Sequence, residues 1–308
     1  MDKLYIETVR LLLAATPEVF RGGVFAMKGG TAINLFVHDM PRLSVDIDLV
    51  YLGRAELRTE ALKAIADELA AIARRLEKIG LSARPLGADG RGESKLLVER
   101  HGRNEKALVK IEVNEIFRGT VLPVGTRTLS PRVAEMFNTE IAAPTLAVDE
   151  LYGSKLVAAL DRQHPRDFFD VMQMYKQYDL TDAMIDCFVL YLAGHNRPMD
   201  EVLIPRAKDM TLAFESSFAG MTRDPVDLAA LESVRERLLT DIPRRLTTRH
   251  RAFLISLARA EPDWSLVNCP HASELPAIRW RLQNIDQFRA KRPNEWERQV
   301  AALEKALD

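Results

Sequence analysis

The chain has 308 residues, of which 47% are hydrophobic and 28% charged, and its formal net charge is -1. This balance is that of a soluble globular protein and excludes a disordered chain; no stretch approaches the roughly 20 apolar residues of a membrane span. Because the net charge is close to zero, a nucleic acid must be bound by a local basic surface and not by global attraction.

The first elements alternate between helix and strand patterns. An opening helix is expected near Tyr5 to Ala15, and a Gly29-Gly30 turn then leads into a short helix over 32–36. Residues 42–51 alternate apolar and polar side chains through Asp48 and then become wholly apolar. This pattern predicts a strand that is half-buried at first and buried more deeply at its end.

A long helix and three short strands follow. Apolar residues between 56 and 79 recur every three or four positions, and Gly80 supplies a left-handed stop, so this helix is strongly predicted. The strands are expected near 81–86, 95–100 and 107–114, with a hairpin loop at 101–104. The first part of the chain is therefore predicted to be a mixed α+β sheet domain.

The remainder of the chain has helical patterns. Helices are expected around 151–161, 166–178, 181–193, 228–240 and 250–260. A chain of this length can form two modest cores, since single cores stop growing at roughly 250 to 300 residues. We predict two domains, a sheet core at 1–180 and a mostly helical C-terminal domain at 181–308.

Two carboxylates on the predicted strand are the strongest chemical signal. Asp46 and Asp48 are two residues apart, so they leave one face of a strand while Val45, Ile47 and Leu49 point to the other. Magnesium prefers oxygen ligands, keeps several waters and is usually completed by substrate phosphates. The pair therefore predicts a metal site for a triphosphate.

The glycine turn is predicted to be an anion cradle. Gly29 and Gly30 would allow a phosphate to approach the backbone, and Lys28 and the Thr31 hydroxyl lie beside them. Ser44 shares the face of the acidic strand. Taken singly, a glycine pair is more often a tight turn and Asp-x-Asp a solvated strand face; the combination with the intervening helix favours one compact site.

In this order, the motifs resemble the signature of the polymerase-β-like nucleotidyltransferase superfamily. More narrowly, residues 28–32 together with 42–49 are similar to the AbiEii/AbiGii toxin family of abortive-infection and toxin-antitoxin systems. That family also has a lysine on a downstream helix followed by Arg-Asp-x-x-Asp, which Lys155 and residues 166–170 match. A weaker similarity extends to residues 275–282, to which we assign no catalytic role.

The resemblance implies a toxin with a polymerase-β-like nucleotidyltransferase core. The implied reaction transfers a nucleotide from a nucleoside triphosphate to an RNA acceptor with Mg²⁺ or Mn²⁺, and the 3′ end of transfer RNA is the favoured acceptor. A co-encoded antitoxin, often a DNA-binding repressor, is implied as a partner. Because the N-terminal residues lack the blocks of a signal peptide, we expect the protein in the cytoplasm.

Further site residues follow from the same resemblance. Lys155 is expected to contact the triphosphate, with Asp167 holding Lys155 or Arg166 in place and Asp170 oriented toward the fold. An ordinary helical lysine would instead extend to solvent, and helix capping alone could explain Asp167.

A third carboxylate is expected on a neighbouring strand. Glu112 is the candidate, as a metal ligand or as the group that orients or deprotonates the attacking hydroxyl. A charged strand face that includes Lys110 and Asn114 explains the same pattern without chemistry.

Other functions remain in competition at this point. A basic run at 244–251 could contact RNA, although most such runs are solvated faces. An enzyme of the same superfamily could modify a small molecule such as an antibiotic. A nonenzymatic toxin that binds a nucleotide and engages a protein partner is the alternative outside enzymes.

Overall fold

The computed structural model describes residues 3–86, 94–100 and 107–308. The chain forms two compact units, Met1–Ala147 and Val148–Asp308. The division thus falls before the predicted boundary at residue 180, and the predicted hairpin loop at 101–104 lies outside the described residues.

Within the described part of the first unit, one mixed sheet of seven strands has the order β3-β4-β5-β2-β1-β7-β6. The strands are β1 (Phe25–Lys28), β2 (Ile47–Tyr51), β3 (Leu81–Pro85), β4 (Lys95–Arg100), β5 (Leu108–Asn114), β6 (Gly125–Thr128) and β7 (Ala142–Thr145). Strand β2 pairs in parallel with β5 and β1 with β7, whereas the other pairs are antiparallel. The predicted α+β sheet core is confirmed.

Helices pack around this sheet. They are α1 (Lys3–Phe20), α2 (Gly29–Thr31), which continues as a π-helical turn over Ala32–Val37, α3 (Arg58–Lys78) and α4 (Pro131–Phe137). Helix α3 buries one apolar stripe: Ala61, Ile65, Leu69, Ile72 and Leu76. The chain leaves α3 through Gly80, whose φ of +77° is the left-handed conformation that glycine adopts without strain. The prediction of this helix and its stop is confirmed.

The predicted strand at 42–51 is shorter than expected, since β2 begins only at Ile47. Ahead of it, the backbone is held by side chains: the Ser44 N–H donates to Tyr5 Oη at 3.0 Å, and the Asp46 carbonyl accepts a bond from Thr31 Oγ1. Alternation of apolar and polar residues could not distinguish this segment from a strand. The prediction of strand for 42–46 was wrong for that reason.

The second unit is helical, as predicted for the C-terminal part. Its α-helices are α5 (Val148–Arg162), α6 (Pro165–Gln177), α7 (Asp182–Ala193), α8 (Met199–Leu203), α9 (Thr211–Ser217), α10 (Leu228–Arg245), α11 (Thr248–Ala258), α12 (Pro276–Lys291) and α13 (Pro293–Leu307). Gly153 on α5 lies against α7, because a Cβ there would be 2.5 Å from Cys187 Cβ. This packing groups α5 with α7 in one unit.

In the described residues, none of the helices combines the length and apolar character that crossing a membrane requires.

Candidate active site

Four charged residues form a row across the middle of the sheet. In the strand register, Lys28 lies opposite Asp48, Asp48 opposite Glu112, and Glu112 opposite Lys95. Residues paired in this way share one face of a sheet. Ile47 and Leu49 are fully buried on the opposite face. We call Lys95, Glu112, Asp48 and Lys28 the charged row.

The glycine turn packs directly against the charged row. A Cβ on Gly29 would lie 2.2 Å from Asp48 Oδ2 and 2.9 Å from its Cγ, and Gly29 has a φ of +73°. A Cβ on Gly30 would lie 2.6 Å from Arg42 Nη2 and 3.0 Å from Ser44 Oγ. Both glycines therefore allow a close approach of the turn to residues 42–48, which we call the acidic segment. The tertiary structure thus brings the two predicted motifs together.

The hydroxyl groups of Thr31 and Ser44 link the turn to the acidic segment by hydrogen bonds. Thr31 is fully buried, and its Oγ1 donates to the Asp46 carbonyl. With its proton used there, Thr31 Oγ1 accepts the bond from Ser44 Oγ at 3.0 Å. These two predicted phosphate contacts thus make hydrogen bonds within the protein that position Asp46 relative to the turn.

Arg42 and Tyr5 are site residues that the sequence analysis missed. Arg42 is 4% exposed, and its Nη1 donates to the Leu43 carbonyl at 2.8 Å. Burial raises the pKa of Tyr5 to about 12, against the lowering effect of the Ser44 N–H and Arg42. The only signal for Arg42 was its place in the 42–49 motif; Tyr5 gave none, because its contact depends on the packing of α1.

The Glu112 carboxylate is bound by two lysines. Its Oε1 is 2.8 Å from Lys95 Nζ and its Oε2 is 2.7 Å from Lys110 Nζ. Burial raises the pKa of Glu112, but the two lysines outweigh it and hold the pKa below its usual value. The pKa of Lys110 is raised, chiefly by its hydrogen bond to Glu112, with smaller contributions from Asp46 and Asp48. The Lys110 ammonium therefore lies within electrostatic reach of both aspartates.

The donor set fits a divalent cation held by two carboxylates. Asp46 and Asp48 are half-buried and adjacent to the turn, which suits Mg²⁺ because it keeps waters and takes phosphate oxygens as further ligands. In the part of the chain that is described, no group of three or more His, Cys, Asp or Glu side chains is arranged to hold a metal ion. Glu112, the predicted third ligand, makes its contacts to lysines instead.

In the second unit, Lys155 lies in a buried ion cluster. Its Nζ is 2.9 Å from Asp167 Oδ1 and 2.9 Å from Asp170 Oδ2, and its side chain is 7% exposed. Arg162 Nη2 also reaches Asp167 Oδ1 at 2.8 Å. Burial raises the pKa of Asp167, but Lys155 and Arg162 outweigh it, so the pKa lies below the usual value. The expected contact between Asp167 and Lys155 is present, whereas the Arg166 side chain is exposed.

The basic run at 244–251 makes contacts within the second unit. Arg251 Nη2 donates to the Pro243 carbonyl at 2.7 Å, Arg249 donates to the Ser265 carbonyl, and Arg245 donates to the Leu180 carbonyl. Three of its arginines therefore bind backbone carbonyls of helix ends and loops within the second unit.

A glycine turn packed against Asp48 on a strand of a mixed sheet, with Asp46 just ahead of that strand, is the arrangement of a nucleotidyltransferase. Residues 10–284 match the family model described as nucleotidyl transferase AbiEii toxin, type IV TA system. The chain belongs to this family. It is thus a nucleotidyltransferase toxin of a type IV toxin-antitoxin family, and an antitoxin partner is implied.

A solved structure shares the fold. MenT4, a nucleotidyltransferase toxin from Mycobacterium tuberculosis H37Rv, aligns with a TM-score of 0.59 at 18% identity, over 92% of this chain and 95% of that one. At this identity the likeness concerns the fold alone. A comparison with curated protein sequences finds no match.

Proposed function

We propose that this toxin transfers a nucleotide from a nucleoside triphosphate to an RNA acceptor, and that the 3′ end of transfer RNA is the first acceptor to test. The observation that carries the proposal is the packing of Gly29 against the Asp48 carboxylate, which leaves no room for a Cβ between the turn and the acid. This arrangement serves a ligand that touches the turn backbone and the carboxylates together, as a metal-bound triphosphate does.

The residues of the turn and those of the acidic segment have different roles in binding the triphosphate and its metal ion. Gly29 and Gly30 offer backbone to the leaving phosphates, and Lys28 adds a positive charge on the neighbouring strand end. Asp46 and Asp48 would hold Mg²⁺ or Mn²⁺, which supplies charge neutralisation at the phosphates when bound. Thr31 and Ser44 keep these parts in register through their own hydrogen bonds.

The reaction is an in-line displacement. The acceptor hydroxyl oxygen forms a bond to the α-phosphorus, the bond from that phosphorus to the β-phosphate oxygen breaks, pyrophosphate leaves, and the hydroxyl proton passes to solvent. Positioning and charge neutralisation lower the barrier. From the family resemblance, Lys155 is also proposed to act on the triphosphate, with Asp167 holding its ammonium in place.

The test is transfer by Asp46→Asn and Asp48→Asn variants. Each labelled nucleoside triphosphate is incubated with total RNA and Mg²⁺ or Mn²⁺, and we expect each variant to lose more than about 100-fold in rate because phosphate charge is no longer neutralised. Melting temperatures should stay near wild type, since both residues are half-buried and Asp48 lies on the sheet face opposite the buried Ile47 and Leu49. Asp67→Asn on the exposed face of α3 is the matched control and should transfer normally.

Three other results would contradict the proposal. Label that appears in a small-molecule fraction and not in RNA would show that the acceptor is a small molecule. If the wild-type protein transfers no nucleotide, the proposed reaction with RNA is wrong. An Asp46 variant that transfers nothing but stays toxic would point to a nonenzymatic toxin.

A further inference from the structure

We propose that Glu112 is not a metal ligand but a positioning residue that holds Lys95 and Lys110 as a binding pair for a backbone phosphate of the RNA acceptor. We call Lys95 and Lys110 the lysine pair. This inference rests on the proposed function, because it assigns the acceptor to one side of the same site.

The first step is the use of both Glu112 oxygens. One lysine lies 2.8 Å from Oε1 and the other 2.7 Å from Oε2, so a metal at either oxygen would share that oxygen with an ammonium group and be repelled by it. Each ammonium has three N–H donors and uses one on Glu112. The side chains of Lys95 and Lys110 are 42% and 36% exposed, so a ligand can reach the remaining donors.

The second step is position in the sheet. The strand order places β4 and β5 on one side of β2, and β1 with its glycine turn on the other. A triphosphate whose leaving phosphates lie on the turn is therefore on the β1 side of Asp48. Since the attacking and leaving oxygens are in line across the phosphorus, the acceptor must arrive from the β5 side, where the lysine pair lies.

The third step is charge. Lys95, Lys110 and Glu112 together carry a charge of +1, beside Asp46 and Asp48, whose charge a bound cation would neutralise, in a chain whose formal net charge is -1. Such a local excess is what a near-neutral protein needs to bind a polyanion. The competing explanation is a surface ion pair without a ligand, which contributes only about 0 to 1 kcal/mol to stability.

The first experiment separates a metal ligand from a positioning residue. Mn²⁺ binding is measured by electron paramagnetic resonance with a nonhydrolysable triphosphate, for wild type, Glu112→Gln and Asp48→Asn. We expect Glu112→Gln to bind Mn²⁺ with unchanged affinity and Asp48→Asn to lose it. A tenfold or larger weakening of Mn²⁺ binding by Glu112→Gln would overturn the proposal.

The second experiment measures RNA binding without transfer. Binding of fluorescein-labelled transfer RNA is followed by anisotropy at several salt concentrations for Lys110→Met and Lys95→Met, with Lys63→Met as control. Lys63 also forms an ion pair, with Asp67, but lies exposed on α3. We expect about tenfold weaker binding for each member of the lysine pair and a salt slope smaller by about 0.7 to 0.9, with no change for Lys63→Met.

Kinetics supply the readout for Glu112. Glu112→Gln should raise the KM for transfer RNA by roughly three- to tenfold while kcat and the KM for the triphosphate stay at wild-type values. Unchanged RNA binding in the variants, or weaker triphosphate binding in place of weaker RNA binding, would overturn the acceptor assignment. If the wild-type protein binds RNA through the lysine pair but transfers nothing, the proposed function is wrong. The role of the lysine pair in RNA binding would still be supported.

Discussion

Two glycines have the same left-handed backbone but different surroundings. Gly29 has a φ of +73° and faces the Asp48 carboxylate, whereas Gly80 has a φ of +77° and no atom within 4 Å of the point where a Cβ would stand. A comparison of substitutions at Gly29 and Gly80 therefore separates the effect on the backbone from the steric effect on Asp48. Only Gly29 is placed where a methyl group would move a site residue.

We expect Gly29→Ala to reduce transfer strongly and Gly80→Ala to leave it unchanged. Both should lose about 1 to 2 kcal/mol of stability from the left-handed conformation, but only Gly29→Ala displaces the Asp48 carboxylate. Transfer rate and urea unfolding are measured on both variants. Equal activity of the two would mean that the contact between the turn and Asp48 has no part in catalysis.

Lys155 holds two buried acids together, so its loss should affect stability as well as activity. We expect Lys155→Met to lower the free energy of unfolding by about 3 to 5 kcal/mol, because Asp167 and Asp170 would be left buried side by side. Lys176→Met on the exposed side of α6 is the control and should stay near wild type. Denaturant unfolding that is unaffected by Lys155→Met would show that the cluster is not structural.

The same cluster predicts a dependence on acid. The folded-state pKa of Asp167 is depressed below its unfolded value of about 3.9, so its contribution to stability is present above that pH and is lost as the pH falls through the folded-state pKa. Asp167→Asn should therefore be less stable than wild type at neutral pH and lose less stability below about pH 4. Unfolding curves between pH 2 and 7 for both proteins check this expectation; parallel curves would contradict it.

At the scale of elements, helix α1 supports the segment that leads into β2. Tyr5 Oη accepts the bond from the Ser44 N–H, and Thr31 at the end of the glycine turn binds the Asp46 carbonyl. Residues 44–46 are thus fixed by a helix and a turn, whereas Asp48 is held by its strand neighbours. Residues 43–46, ahead of β2, have no regular secondary structure, and in this conformation Ser44 Oγ lies 3.0 Å from Thr31 Oγ1.

Tyr5→Phe tests this support. The variant keeps the ring but leaves the Ser44 N–H without its acceptor, which should cost about 1 to 3 kcal/mol of stability. We also expect a several-fold lower transfer rate, because Asp46 is two residues away and depends on this segment for its position. Hydrogen exchange should rise over residues 43–46, and unchanged exchange there would refute the role of Tyr5.

At the scale of the whole molecule, each unit holds a lysine beside acidic groups, and the two lysines differ in burial. Lys110 has a side chain that is 36% exposed, whereas Lys155 is 7% exposed. The first can meet a polyanion at modest cost, while the second is bound to two carboxylates inside the protein. The family match covers residues 10–284 and so includes both clusters.

The sequence by itself determined the features that depend on neighbours along the chain. Periodicity predicted α3 and the strands β3 to β5, and the order of the glycine turn and Asp-x-Asp pointed to the family. Five helices of the second unit, α5, α6, α7, α10 and α11, were predicted in the same way, because such a prediction requires only spacing of apolar residues, whereas α8, α9, α12 and α13 were not predicted.

Only the tertiary structure decided the features that depend on distant groups. The start of β2 follows from bonds made by Tyr5 and Thr31, and the partners of Glu112 follow from the register of β4 and β5. Asp170 joined the Lys155 cluster in the same way. Charged residues look alike in a sequence whether they bind a metal, a phosphate or each other, because which of these occurs is set by which side chains the fold brings within hydrogen-bond distance.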